Sequence, residues 1–440
     1  MSIAPDVALS AAAGQAEAQY RLGAGYFGAG DIQSALEWLT RAADQHWPDA
    51  QNLLGVIYAN GIGVTCQPSR AAQLFAAATR RDLKEAHFNL SGLLFSGSVA
   101  QADDAAAMHH LLHAAELGHR AAWRVLGYLY SLESTTASAA LATGCFARAA
   151  LQGDAYAEYV LGLRFLRGVG VAADVSEAAY WFASATNKQI YCAAERLRSL
   201  VDKLGEAQVQ RGIRECVPHA KQLADSSREV VAPDIVTTIS GKSLPTIGAV
   251  SDSPNIIDEQ LCDYLINLAA SRVRPSGVVD PASGKPLQSN LRTSSSMNFQ
   301  LSMYDAAVGL VCRRLASLAG STVTHAEPLS VLRYMPGQEY KPHYDHFAVD
   351  EQGAPRVRDG NGQRVATVFV YLNDVQAGGE TNFPRLGVRV QPAKGKAVAF
   401  QNCDAHGQPN PDMLHAGMPV MHGEKWLATL WFRERPFVWA

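Results

Sequence analysis

The sequence predicts a multidomain α + β chain. An N-terminal α-solenoid of helix–turn–helix repeats precedes an antiparallel β-sandwich or barrel with supporting helices. Three observations predict it. The pattern A-x-x-x-L-G recurs five times at nearly constant spacing. Beyond Gly320 the hydrophobic period changes from helical to two-fold. Between the halves, Pro233, Gly241, Pro245 and Gly248 interrupt any helix.

A chain of 440 residues has room for two or three domains. With 48% hydrophobic and 18% charged residues it can bury sizeable cores. A net charge of -3 argues against broad attraction to nucleic acid or to an anionic membrane. No apolar run is long enough to span a bilayer. The first residues lack a basic stretch followed by a long apolar one, so no signal peptide is expected. The cysteines at 66, 145, 192, 216, 262, 312 and 403 are odd in number, scattered, and form no C-x-x-C. They point to reduced thiols, neither a disulfide framework nor structural zinc. The expectation is a soluble cytoplasmic protein.

The repeats begin at Ala18…Leu22-Gly23 and continue at Ala50…Gly55, Ala86…Ser91, Ala122…Gly127 and Ala157…Gly162. Successive anchors are 32, 36, 36 and 35 residues apart. An aromatic or apolar residue follows each, and a second helix carries Ala with an aromatic, as in Ala35-Leu-Glu-Trp38 and Ala178-Ala-Tyr-Trp181. A period near 35 marks a solenoid of paired helices, in which small residues allow close approach and large ones fill the seams. These units resemble the Sel-one-like branch of the tetratricopeptide repeats over residues 14–198. The third unit departs from the pattern at Ser91, and the fourth lacks the Gly-x-Gly turn. The resemblance implies a concave face that binds a protein partner. His109, His110 and His113 sit on one helical stretch, with 109 and 113 an i, i+4 pair, but no acidic third ligand follows the pattern, so they read as solvated surface histidines. Residues 199–250 read as one or two capping helices and a linker. The boundary falls between 229 and 250, and Ile235–Ile239 offers a first strand.

In residues 251–440, Asp258 caps a helix bearing Leu261, Leu265 and Leu268. A polar loop, 274–290, comes next. A second helix carries Val308, Val311, Leu315 and Leu318 and ends at Gly320. Strands are then predicted at Leu329–Met335, Gln338–His346, Val365–Asn373, Val388–Gln391, Ala397–Phe400 and Lys425–Phe432.

Within the second strand, His343 and Asp345 are two residues apart, so period two places both side chains on one face. They supply an imidazole and a carboxylate. A third ligand must come from elsewhere, and His406, His415 and His422 are the downstream candidates. Two histidines and one carboxylate on one face of an octahedron leave three positions open, the arrangement of non-haem Fe(II) oxygenases.

The matching runs are Leu332-Arg-Tyr-x-x-Gly-Gln-x-Tyr-x-x-His-x-Asp, Tyr371-Leu-Asn-Asp-Val-x-x-Gly-Gly-Glu-Thr-x-Phe-Pro, Lys394-Gly-x-Ala, and His415-Ala-Gly-x-Pro-Val-x-x-Gly-x-Lys-Trp. Over residues 253–440 they resemble the prolyl 4-hydroxylase family of Fe(II)- and 2-oxoglutarate-dependent dioxygenases. The resemblance implies a double-stranded β-helix (jelly-roll) core with His343, Asp345 and His415 as iron ligands. It implies that Lys425 pairs with the distal carboxylate of 2-oxoglutarate and that Tyr334 hydrogen-bonds this co-substrate, with Thr381 and Trp426 near its pocket. Arg292 matches a position near the substrate groove, against the simpler reading of a structural ion pair. Tyr340 and Tyr371 read as barrel packing. Asp345 stands where related halogenases carry a small residue that admits chloride, which favours hydroxylation. The implied reaction couples decarboxylation of 2-oxoglutarate by O2 to hydroxylation of an unactivated C–H bond, with ascorbate as reductant. The implied substrate is a peptidyl proline in a protein or peptide partner engaged by the repeats. The alternatives are a free amino acid or small metabolite, with the repeats used for assembly, and a non-catalytic adaptor or sensor.

Overall fold

The repeat pattern becomes helices because each unit places its small residues where two helices cross. The computed structural model describes residues 5–99, 103–133, 135–216, 218–226, 250–279, 286–287, 291–351, 355, 357, 359–404 and 406–439. Its first half runs α1 (Pro5–Ala12), α2 (Ala16–Gly28), α3 (Ile32–Asp44), α4 (Pro48–Asn60), α5 (Pro68–Thr79), α6 (Lys84–Phe95) and α7 (Asp104–Glu116). It continues through α8 (Arg120–Tyr130), α9 (Thr136–Leu151), α10 (Ala155–Arg167), α11 (Val175–Asn187), α12 (Tyr191–Leu204), α13 (Glu206–Glu215) and α14 (Ala220–Ser226). Asp31, Asp103, Thr135, Asp154 and Asp174 cap their helices by accepting from backbone N–H groups.

The anchor glycine has a steric reason. A Cβ on Gly162 would sit 2.6 Å from Cδ1 of Phe182, so the ring of α11 lies directly on the bare backbone of α10. In the third unit Ser91 takes the anchor position, and the next residue, Gly92, is the one in close contact. A Cβ there would collide with the Tyr304 carbonyl, which belongs to the other half of the chain. The break in the repeat pattern is therefore a contact between the halves. Beyond the repeats, α13 packs on α11 and α14 on α9. The boundary expected between 229 and 250, with its run Ile235–Ile239, lies almost wholly outside the described residues.

The second half opens with β1 (Ser251–Ser253), α15 (Glu259–Ala269), β2 (Arg274–Pro275), β3 (Val278–Val279), β4 (Pro286–Leu287), β5 (Ser295–Asn298) and α16 (Ala306–Leu318). Then follow β6 (Ser330–Tyr334), β7 (Tyr340–His343), β8 (Arg364–Tyr371), β9 (Ala377–Gly378), β10 (Thr381–Phe383) and β11 (Val388–Val390). The last strands are β12 (Ala397–Gln401), β13 (His415–Gly417), β14 (Val420–His422) and β15 (Lys425–Arg433). Asp258 caps α15 as expected, accepting from the Leu261 N–H at 2.8 Å.

A seven-stranded antiparallel sheet, in the order β1-β12-β8-β15-β6-β5-β2, faces a four-stranded sheet, β11-β10-β13-β7. Together they form the jelly-roll. Alternation splits the large sheet into two environments. Leu332, Tyr334, Phe369, Tyr371, Val398, Phe400 and Leu427 point into the jelly-roll. Their neighbours Val331, Val368, Val370, Ala399, Ala428 and Leu430 point to the other face. That outer face belongs to one continuous apolar core shared with α15, α16 and the solenoid. The expected strand over 338–346 stops at His343. The sequence did not mark β5, β10 or β13, because each has only three or four residues and no run of β-branched side chains.

The faces of α4, α6, α8, α10 and α12 are turned toward the second half, where α15, α16 and the turn Leu301–Met303 cover them. Buried polar contacts pin this junction. The Tyr159 hydroxyl donates to Asp263 Oδ2 at 2.6 Å, and Arg196 reaches the same oxygen at 3.3 Å and also pairs with Glu259. Lys394 donates to Asp263 Oδ1 at 2.6 Å. Arg124 bridges Asp154, at 2.5 Å, and the Tyr264 hydroxyl, at 3.2 Å. These faces of the repeat helices are thus covered in part by this chain itself. Among the described residues no helix is long and apolar enough to cross a membrane.

Candidate metal centre and its pocket

Two strands of the smaller sheet bring the histidines together. His343 at the end of β7 is paired directly with His415 at the start of β13, and their ring centroids are 4.3 Å apart. Asp345 follows two residues after His343, just past the strand end. His343 Nε2 lies 3.7 Å from Asp345 Oδ1, and His415 Nε2 lies 3.6 Å from Oδ2. One ligand atom from each residue falls within 4.8 Å of the others. Of the three candidates for the third position, His406 and His422 are exposed and only His415 joins the group.

The outer contacts fix which nitrogen is free. His343 Nδ1 is 2.8 Å from the Lys341 carbonyl, and His415 Nδ1 is 2.9 Å from the Met413 carbonyl. Only an N–H can satisfy a carbonyl, so both Nδ1 atoms are protonated and both Nε2 lone pairs face Asp345. Metal-binding histidines are held in this way. Burial, reinforced by His415, pushes the His343 pKa down to about 3, which keeps the imidazole neutral as a ligand must be. Although burial opposes it, His415 and His343 hold the Asp345 carboxyl below its ordinary value. Thr367 donates to Asp345 Oδ2 at 2.8 Å and accepts from Asn402 Nδ2 at 2.9 Å. Phe383 and Phe400 pack on the His415 ring. The donor set fits a divalent transition metal.

Behind these three residues lies a buried cation. Lys425 is 1% exposed, and its Nζ sits 5.2 Å from the Tyr334 ring centre and 5.3 Å from that of Tyr371. Burial drives its pKa down to about 7, with Glu380 pulling the other way. A buried ammonium between two aromatic faces calls for an anion. Tyr371 exchanges a 2.7 Å hydrogen bond with Thr381. Tyr334, Thr381 and Lys425 line the same pocket as His343, Asp345 and His415.

Arg292 stands at this pocket as well, 5.1 Å over the Tyr340 ring. Its Nε donates to Ser294 at 3.0 Å, while Nη2 is buried with no hydrogen-bond partner. Among the described residues the guanidinium has no ion-pair partner. Trp426 does not join the pocket. It follows Lys425 on β15, so alternation turns it to the opposite face, where Arg333 and Tyr191 of α12 pack on it.

Sequence reasoning missed Thr367 and Asn402, and it set aside Tyr340 and Tyr371. Tyr340 stacks on His343 with ring centroids 3.4 Å apart. Thr367, Phe369 and Tyr371 alternate along β8 on the inner face, a signal that period two could have supplied.

Residues 329–433 match the 2OG-Fe(II) oxygenase superfamily. Residues 16–46, 48–83, 84–119, 124–154 and 155–189 each match the Sel1 repeat. Prolyl 4-hydroxylase 1 of Arabidopsis thaliana is 36% identical over 245 residues, covering 51% of this chain and 83% of that protein. Probable prolyl 4-hydroxylase 10 of the same plant is 37% identical over 202 residues, covering 42% and 68%. Among solved structures, the viral collagen prolyl hydroxylase of Paramecium Bursaria Chlorella virus-1 is 29% identical, with coverage of 42% and 95% and a TM-score of 0.34.

Proposed function

The chain belongs to the prolyl 4-hydroxylase family of 2OG-Fe(II) oxygenases, and from that premise we propose that it hydroxylates a peptidyl proline at C4. It is a 2-oxoglutarate-dependent dioxygenase, with Fe(II) as cofactor and 2-oxoglutarate and O2 as co-substrates. The observation that carries the site assignment is the buried, unneutralised Lys425 beside three ligands whose free lone pairs converge. In this reading the catalytic unit spans 251–440 and the repeats 14–198.

His343, Asp345 and His415 hold the iron. Bound iron supplies the O2 activation that links decarboxylation of the 2-oxo acid to oxygen insertion into a C–H bond. Lys425 neutralises the distal carboxylate of 2-oxoglutarate, and Tyr334 and Thr381 orient it by hydrogen bonds. The rings of Tyr371, Phe383 and Phe400 keep water from this end of the pocket. Arg292 offers its unpaired Nη2 donor to a carbonyl of the substrate backbone. Ascorbate would serve as the reductant. The seven free cysteines support a reducing, cytoplasmic setting.

Lys425 gives the co-substrate a pH signature. Only its charged form pairs with the dianion, whose carboxylates stay ionised near neutrality. With a pKa of about 7 in the free pocket, the charged fraction falls as pH rises. Affinity for 2-oxoglutarate should drop about fifteenfold from pH 7 to 8.5. Anaerobic titration of the visible charge-transfer band checks this. Lys425→Met should bind far more weakly and with no such slope, and an equally steep slope in that variant would remove Lys425 from the role.

The substrate assignment is tested by mass spectrometry of proline-containing peptides and free proline after turnover with Fe(II), 2-oxoglutarate and ascorbate. The expected result is one added oxygen on a peptide proline, with Arg292→Met raising the peptide KM more than it lowers kcat. Turnover of the free amino acid alone would favour the second reading, a metabolite hydroxylase with the repeats used for assembly. The covering of the repeat faces by α15 and α16 is the observation on its side. A protein partner would then meet the faces of the repeats that this chain leaves exposed.

A further inference from the structure

The repeats gather a second set of metal-ligating side chains, well outside the oxygenase pocket. In the sequence, His109 and His113 stand out as an i, i+4 pair to which the helical pattern adds no acidic third ligand. The fold supplies other partners. The turn between α5 and α6 brings Asp82, and α6 brings His87, against His113 of α7. One ligand atom from each lies within 4.8 Å of the others. His113 Nε2 is 3.2 Å from Asp82 Oδ1, and His87 Nε2 is 4.0 Å from the same oxygen. His109 stays exposed.

His87 provides the independent observation. It is 5% exposed, and its Nε2 is buried without a hydrogen-bond partner. Its Nδ1 is 3.0 Å from His110 Nδ1, so one of these two nitrogens carries a proton. If His87 donates, its Nε2 presents a lone pair toward the Asp82 carboxylate, and the two repel. If His110 donates, the Nε2–H of His87 is left 4.0 Å from the Asp82 oxygen, beyond hydrogen-bond reach. The Thr79 backbone neighbours the ring, yet Nε2 has no hydrogen-bond partner among the described residues. Neither tautomer satisfies the site, whereas a cation bound between Nε2 and the carboxylate does. The other ring nitrogen of His113 faces Glu116 at 3.4 Å, an outer carboxylate of the kind that orients metal-bound histidines.

We propose that Asp82, His87 and His113 form a structural site for a divalent transition metal of the zinc class, with a fourth position for water. The site would join the α5–α6 turn, α6 and α7 across two repeats. Since α6 also carries Gly92 against Tyr304, the metal would brace the platform on which the oxygenase half rests.

The same donor types occur at the oxygenase centre, so the test must separate the two. Metal-stripped full-length protein is titrated with zinc against a chromophoric chelator. Two equivalents are expected for the unaltered chain, one for Asp345→Ala and one for Asp82→Asn/His113→Gln, whose affinity at the repeat site falls roughly a hundredfold or more. Both altered repeat residues are partly exposed, at 70% and 34% of their side chains, so the metal-free variant should melt like the metal-free parent. In the Asp345→Ala background zinc should raise Tm by a few degrees, and the added repeat substitutions should abolish that rise. A single equivalent in the parent with none in Asp345→Ala would overturn the proposal, as would two equivalents surviving Asp82→Asn/His113→Gln. In either case the histidines would only pack and hydrogen-bond.

Discussion

Asp345→Ala should abolish hydroxylation, whereas Thr367→Val should only weaken it. Asp345 is the sole carboxylate in the three-residue group, so its removal leaves two neutral imidazoles and no charge to balance a divalent cation. Thr367 touches the metal site only through its 2.8 Å hydrogen bond to Asp345 Oδ2. Losing an outer contact of this kind typically costs about 10–100-fold in metal affinity or activity. Losing the ligand should cost at least about a further tenfold, enough to put turnover below detection. The two variants are compared by anaerobic titration with Fe(II) followed by 2-oxoglutarate, then by product mass. The charge-transfer band should vanish in Asp345→Ala and reappear in Thr367→Val at higher iron concentration. Hydroxylated product from Asp345→Ala at a rate near the parent's would sink the ligand assignment.

How much of this site the sequence disclosed depends on whether a contact follows a local period. The pairing of His343 with Asp345 was legible because two residues along an extended chain return to the same face. The same rule, applied to Lys425 and Trp426, turns Trp426 away from the pocket, and the structure places it against Tyr191. The position of Thr367 beside Asp345 depends on sheet order, since β8 and β7 belong to different sheets. Such a relation between distant strands leaves no trace in either segment alone. The repeat array was legible from its period near 35 residues, but the surface that it covers was not. Ser91 departs from the pattern beside Gly92, which lies against Tyr304 of the other half. His87 drew no notice because its partners, Asp82 and His113, lie on the turn before it and on the next helix.

Deleting residues 1–200 should unfold the remaining oxygenase half, although repeat arrays and catalytic units are often treated as separable. In the intact chain Tyr264 and Asp263 of α15 are each 2% exposed. Asp263 is held by Tyr159 and Arg196 from the repeats as well as by Lys394 from its own half. Gly309 of α16 lies so close to Phe95 that a Cβ would come within 2.9 Å of its carbonyl oxygen. The deletion strips these faces together and leaves buried charges with part of their partners missing. Each broken buried pair costs about 3–5 kcal/mol, and a domain's whole stability is about 5–15 kcal/mol. Asp305 loses Arg124, 3.9 Å away, in the same deletion, and the two losses, added to newly exposed apolar surface, exceed what the jelly-roll alone can absorb. The fragment should aggregate, lack near-ultraviolet circular dichroism and show no charge-transfer band with Fe(II) and 2-oxoglutarate. A fragment that melts sharply and binds 2-oxoglutarate with the parent's affinity would refute the shared core. If it unfolds as expected, its inactivity says nothing about partner binding. That question then has to be asked with substitutions on the solvent-facing sides of the repeats, where the oxygenase half gains no support.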